Sequence, residues 1–196
     1  MEIGTLLRFL SVAERLKCST RHADTSSGRR ESVAEHCWRL TLMAWLVQDE
    51  FPEVNMERVM ELCLVHDLGE AVIGDIPSFE KTDRDEDAEA EAWKTLSAML
   101  PDPVGGRLQA LFDELDAQET AEAQLMLALD KMEAVLQHNE SDIRSWLPLE
   151  YDLQLTYGER ETSRFPYTAA LKAALNGQTR VKIAEAEKQN ENEARI

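Results

Sequence analysis

Apolar residues recur along this chain at helical spacing, and nowhere do they alternate strongly as in a half-buried strand. Ile3, Leu6, Leu7, Leu10, Val12, Ala13 and Leu16 predict a first helix over residues 2–17. Residues 18–32 break the pattern with small, polar and glycine residues, which reads as a loop. The next helix starts near Ser32, an N-cap with Glu35 three residues on in the capping-box pattern. Its apolar stripe runs through Val33, Leu40, Ala44 and Val47, and His36 falls on that stripe. After the turn Phe51-Pro52-Glu53-Val54-Asn55, a helix over 56–69 carries Val59, Met60, Leu62, Leu64 and Val65. A charged stretch leads into a helix over about 85–100 that ends before Pro101 and Pro103. Gly105-Gly106 opens a further helical segment, and Thr120 caps a helix from 121 to about 138. Residues 141–166 read as an irregular, partly buried connection. Residues 167–176 read as a helix ended by Gly177. The expectation is an all-α, compact bundle of about six to eight helices with no substantial sheet. Residues 1–180 would form one domain and 181–196 a charged tail or exposed helix.

Length and composition fit this picture. A chain of 196 residues suits a single domain with a sizeable core, and an apolar fraction of 43% argues against wholesale disorder. No apolar run approaches a bilayer span, and the amphipathic N-terminus lacks the apolar block of a signal peptide, so the expected location is cytoplasmic. The three cysteines, Cys18, Cys37 and Cys63, form no CxxC pair and indicate neither a disulfide framework nor a zinc knuckle. A net charge of −17 excludes nucleic acid polymers and anionic membranes as partners. It does not exclude a small anionic substrate, because a bound cation reverses the local field. Against that acidic background the 18–32 loop stands out, with Arg21, His22, Arg29 and Arg30 close together. Loops of that length are often functional.

The candidate chemistry centres on Leu64-Val65-His66-Asp67-Leu68-Gly69-Glu70 and Gly74-Asp75. An imidazole and a carboxylate at the end of an apolar helix need compensation, and a divalent cation is the simplest form of it. His36 by itself reads as a core histidine or as a further ligand. Asp130 lies among Met126, Leu127 and Ala134 and points inward; a pair with Lys131 is disfavoured because adjacent helical residues do not face each other. His36, His66, Asp67 and Asp130 together make a set of two imidazoles and two carboxylates. That set suits one divalent transition metal: manganese, iron, cobalt, nickel or zinc. Glu70 lies one turn from both His66 and Asp67. The acidic run over 78–92 does not match an EF-hand loop and reads as a solvated loop and helix start. His138 reads as a helix C-terminal histidine or as a group supporting the site.

The order His…His-Asp…Asp resembles that of HD-domain phosphohydrolases. Arg21, then Glu31-Ser32-Val33-Ala34-Glu35-His36, His66-Asp67-Leu68-Gly69-Glu70 and Gly74-Asp75-Ile76-Pro77 resemble the small HD-domain 5′-deoxynucleotidases over residues 5 to 160. The resemblance implies the HD-domain fold and single-metal hydrolysis of a (deoxy)nucleoside 5′-monophosphate. It implies His36, His66, Asp67 and Asp130 as metal ligands, Glu70 as the residue acting on the attacking water, and Asp75 at the sugar or leaving group. Arg21 would meet the phosphate, with Arg30 as a second cation. His22 stands where those nucleotidases carry a tryptophan. A homodimer is also implied. The competing readings are an HD-type phosphodiesterase or nucleotide polyphosphate hydrolase, a di-iron oxygenase, and a non-catalytic metal-dependent nucleotide sensor. The oxygenase needs further histidines between the His-Asp pair and the last aspartate, and residues 67–129 hold none.

Overall fold

A computed structural model describes residues 1–77, 79–80 and 82–193, so the last three residues of the expected tail lie outside it. Ten α-helical segments follow in chain order, two of them single turns: α1 Ile3–Ala13, α2 Val33–Leu46, α3 Met56–Val65, α4 Glu70–Ile73, α5 Asp83–Ala98, α6 Val104–Ala117, α7 Ala121–Glu140, α8 Glu150–Thr156, α9 Glu159–Thr162 and α10 Pro166–Glu193. The expected all-helical architecture is therefore present. Among the described residues there are two departures: residues 141–166, expected to be an irregular connection, carry α8 and α9, and a small hairpin of β1, Thr20–Asp24, and β2, Arg30–Ser32, stands where the sequence predicted a loop. Polar strands this short carry no alternation signal; the hairpin is closed instead by Thr25 N donating to Arg29 O at 2.7 Å, with Gly28 at φ +82°.

The chain divides into two compact units, residues 1–22 with 31–126, and residues 23–30 with 127–196. In the first, α2 packs on α3, α5 on α6 and α4 on α5. Leu40, Val59, Leu62, Leu96 and Phe112 are fully enclosed there, and the Trp93 indole stacks parallel on Phe112 at 5.1 Å between centroids. The helix starts are those expected. Ser32 Oγ accepts from Glu35 N at 3.3 Å while Glu35 returns a carboxylate to Ser32 N at 2.9 Å, and Asn55 caps α3. Arg58 clasps Glu114 with two nitrogens, at 2.7 and 2.8 Å, and so ties α3 to α6.

The predicted helix over 56–69 is broken. α3 stops at Val65, and Leu68 N to Val65 O and Glu70 N to Asp67 O close tight three-residue turns before α4. His66 and Asp67 thus lie in a backbone break between two helices.

In the second unit Leu129, Met132 and Val135 of α7 form the apolar centre. α10 lays Thr168, Lys172, Leu175, Thr179 and Ala186 inward and packs on α8 and α9. The helix expected to end at Gly177 continues to Glu193, because contacts beyond that glycine hold it. Thr179 Oγ1 donates to Asn139 Oδ1 at 2.8 Å, and Lys182 Nζ donates to the carbonyls of Asn139 and Ser141 at the C-terminus of α7, where a cation complements the helix dipole.

Candidate metal centre and its surroundings

Three of the expected ligands converge within the first unit. His36 comes from the first turn of α2 and is completely enclosed; His66 and Asp67 come from the break after α3. His36 Nε2 lies 3.3 Å from His66 Nε2, and Asp67 Oδ2 lies 3.7 Å from the former and 3.1 Å from the latter. All three ligand atoms fall within 4.8 Å of one another. His66 Nδ1 donates to Cys63 O at 2.9 Å, which commits the other ring nitrogen, Nε2, to the shared space. Two imidazole nitrogens and a carboxylate oxygen all offer lone pairs to one point. That donor set fits a divalent cation, and it is the type that binds borderline transition ions.

The electrostatics agree. Burial opposes ionisation of Asp67, yet His66, His36 and Arg21 hold its carboxyl well below the usual range. Burial likewise works against charge on His66, but Asp67 raises its proton affinity well above the usual value. A cation held by these groups would displace that proton, which would couple its binding to proton release.

Glu70 opens α4 and is only 7% exposed. Its Oε2 meets no hydrogen-bond partner among the described residues. Burial, then the charges of Asp67 and Asp75, push its pKa up to about 10. Asp75 follows Gly74, whose φ of +83° turns the chain out of α4, and Asp75 N donates to Ser19 Oγ at 3.2 Å. Arg21 on β1 reaches Asp67 Oδ2 at 3.4 Å with Nη1 and Glu31 Oε2 at 3.3 Å with Nε. His22, the next residue, meets Phe79 edge to face at 5.6 Å.

The sequence matches the HD-domain family over residues 13–169. The chain belongs to the HD-domain family. It is 35% identical over 139 residues to 5′-deoxynucleotidase HDDC2 of Bos taurus, covering 69% of this chain and 67% of that one. It is 30% identical over 176 residues to 5′-deoxynucleotidase hdd1 of Schizosaccharomyces pombe, covering 85% and 82%. Among solved structures, one described as a "Predicted metal-dependent phosphohydrolase" from Magnetospirillum magnetotacticum shares 28% identity with a TM-score of 0.78, covering 92% and 93% of the two chains.

The HD-domain residues left over lie in the second unit. Asp130 sits on α7 and accepts from Lys131 Nζ at 3.0 Å. This corrects the expectation that adjacent helical residues cannot pair; the four-carbon lysine stem is long enough to bring its ammonium back to the neighbouring carboxylate. Burial works against the charge, but Asp130 and Tyr157 hold the Lys131 ammonium above the usual lysine range. The ammonium also stands 5.1 Å from the Tyr157 ring centre. Arg30 pairs with Asp24 across the hairpin at 3.5 Å. His138 Nδ1 donates to Ala134 O and its Nε2 pairs with Glu150 Oε1, each at 2.9 Å, so the ring ties α7 to the start of α8. Two participants had no sequence reading: buried Glu31 as the partner of Arg21, and Cys37, whose Sγ lies 4.0 Å from His66 Nδ1. Recognising the Thr25–Gly28 turn as a hairpin is the signal that pairs Arg21 with Glu31.

Proposed function

We propose that this HD-domain chain is a metal-dependent phosphomonoesterase that cleaves (deoxy)nucleoside 5′-monophosphates into nucleoside and phosphate. The observation that carries the reading is the convergence of His36, His66 and Asp67 beside a buried, partnerless carboxylate oxygen of Glu70. The names of the relatives, 5′-deoxynucleotidases at 30% and 35% identity, support the substrate class. One divalent transition ion is held by His36, His66 and Asp67, with Asp130 as fourth ligand on sequence order. When bound, that ion supplies Lewis acidity and a water acidic enough to lose a proton near neutral pH.

The protein's own groups do the rest. Glu70 Oε2 would accept the proton from the attacking water once a bound cation offsets the burial and the charges of Asp67 and Asp75 that otherwise keep its carboxyl protonated. Arg21 presents its guanidinium to the phosphate from β1, oriented by Glu31. Asp75 positions or protonates the departing 5′ oxygen, and Arg30 adds positive charge on the substrate side. His22, braced by Phe79, meets the sugar or base. The enzyme works in the cytoplasm as a homodimer. Among the described residues no helix is long and apolar enough to cross a membrane.

The test is phosphate release from deoxy- and ribonucleoside monophosphates by metal-stripped protein, with manganese, cobalt or zinc added back. Asp67→Ala abolishes both metal binding and release. Glu70→Ala keeps the metal, measured by calorimetry, and loses roughly 10²–10⁴ in turnover. Unchanged turnover in Glu70→Ala refutes the water-activating role. Absence of release under every metal leaves a nucleotide sensor as the better reading.

A further inference from the structure

Leu68 and Gly69 separate Asp67, a proposed metal ligand, from Glu70, the proposed base. The backbone across this break holds itself only weakly. Leu68 N to Val65 O and Glu70 N to Asp67 O close two three-residue turns, and α4, which follows, is a single turn. Helical structure this short has little stability of its own. The places of Asp67 and Glu70 are therefore set by what packs on the segment between them. Leu68 and Ala71 are buried. Gly69 has no side chain to bury, and the contact made there comes from α5.

A Cβ built on Gly69 would lie 3.0 Å from Trp93 Nε1 and 3.2 Å from Trp93 Cδ1, so the five-membered edge of the indole rests against the glycine backbone. Gly69 has φ −56° and ψ −32°, a helical conformation open to any residue. Glycine is therefore required here by the space the indole takes, and in a helical turn it carries an entropic cost that alanine avoids. The indole is the stiffer partner. It stacks within 3° of parallel on Phe112 of α6, which is fully enclosed. Its Nε1 is buried and meets no hydrogen-bond partner among the described residues, so the stack on Phe112 and the edge contact with Gly69 set the ring's orientation, not a hydrogen bond. A methyl added at Gly69 thus displaces the break and leaves the indole in place.

We propose that Trp93 is a positioning residue for the metal centre: its indole edge, set on Phe112, fixes the backbone at Gly69 and through it the places of Asp67 and Glu70. The inference rests on the metal centre of the proposed function and adds a residue that acts only through another's backbone. Calorimetry with manganese alone, on the metal-stripped full chain, is the first readout, and phosphate release from a deoxynucleoside monophosphate is the second. Gly69→Ala pushes the break off the indole, and Trp93→Leu removes the indole edge. Each weakens manganese binding roughly 10-fold or more and lowers kcat roughly 10–100-fold. KM is unchanged, because the proposed phosphate contact, Arg21, comes from β1. Gly69→Ala combined with Trp93→Leu puts a methyl into the space the indole edge leaves and recovers most of both losses, which independent damage at two sites does not do. Trp93→Phe keeps a ring edge at the glycine and the stack on Phe112, and so keeps the wild-type affinity. The visible spectrum of the cobalt-loaded protein, which follows ligand geometry, changes in both single variants and returns in the double one. Urea unfolding checks that each variant folds, and Trp93→Met replaces Trp93→Leu if that variant does not. A wild type that binds manganese but releases no phosphate overturns the hydrolytic reading, and the affinities still decide the role of Trp93. A wild type that binds neither manganese nor cobalt overturns both. Single variants with unchanged affinity, or a double variant no better than the worse single one, overturn the proposal and leave the hydrolytic reading standing.

Discussion

Gly158, just before α9, has a φ of +72°, and a Cβ placed on it would lie 2.4 Å from Lys131 Cβ and 3.0 Å from Lys131 Cγ. Gly158→Ala therefore imposes two costs. The left-handed backbone costs a residue with a Cβ about 1–2 kcal/mol. The overlap adds about 1–3 kcal/mol, because the obstructing atoms are the base of a side chain and α7 itself must give way. The expected loss is about 2–5 kcal/mol, a large part of the 5–15 kcal/mol typical of a domain. Gly28 supplies the control. Its φ is +82°, but nothing lies within 4 Å of its Cβ position, so Gly28→Ala carries only the backbone cost. Urea unfolding of the two variants separates the terms. Equal destabilisation of the two variants refutes the overlap argument.

Neighbouring glycines of α6 are expected to respond in opposite directions. Gly105→Ala places a methyl 2.6 Å from Ser97 O and 2.8 Å from Leu100 O, both backbone, and costs about 1–3 kcal/mol in urea unfolding. Gly106→Ala, in the first turn of α6, meets only Asp102 Oδ1 at 3.6 Å and gains about 0.4–1 kcal/mol by lowering the entropy of the unfolded chain; a loss there, or a neutral Gly105→Ala, contradicts the packing at this crossing. Lys172 is buried with Nζ donating to Gln154 O at 2.9 Å, and desolvation lowers its pKa to about 8. Between pH 8 and about 10.5 the unfolded chain keeps a proton that the native state releases, so this lysine makes stability rise with pH by up to about 1.4 kcal/mol per unit, and below pH 8 its penalty is constant. Unfolding profiles of wild type and Lys172→Met that run parallel over that window refute the assignment.

Elements whose signals are local were legible in the sequence. The Ser32–Glu35 box needs only four residues, and Thr120 Oγ1 accepts from Ala123 N at 3.1 Å as its position predicts. The His66-Asp67 pair stood out because few side-chain types hold a metal and an apolar helix end is an expensive place for them. The elements that were missed depend on partners distant in sequence. The stretch from residue 181 reads as a charged tail or an exposed helix until Lys182 is seen on the α7 carbonyls, some 40 residues back. The hairpin is polar on both strands, so its pairing shows only in the turn. Lys131 was set aside by a rule about Cβ directions that does not bind a side chain with four rotatable carbons.

Arg21 shows where these two kinds of knowledge meet. Its guanidinium is engaged by Glu31 and Asp67 at 3.3 and 3.4 Å, so it already sits beside the proposed metal oxygen. In a chain of net charge −17 a lone surface arginine would do little to draw in a phosphate. One held beside a divalent ion at the proposed site would form with it a local positive centre, while Glu31 keeps the guanidinium from swinging away. The hairpin is what gives the arginine this place, since β2 carries Glu31 directly into Ser32 and α2, and so to His36. The short, unpredicted sheet is therefore the element that links Arg21, the proposed phosphate-binding cation, to His36, the proposed metal ligand four residues after β2 ends.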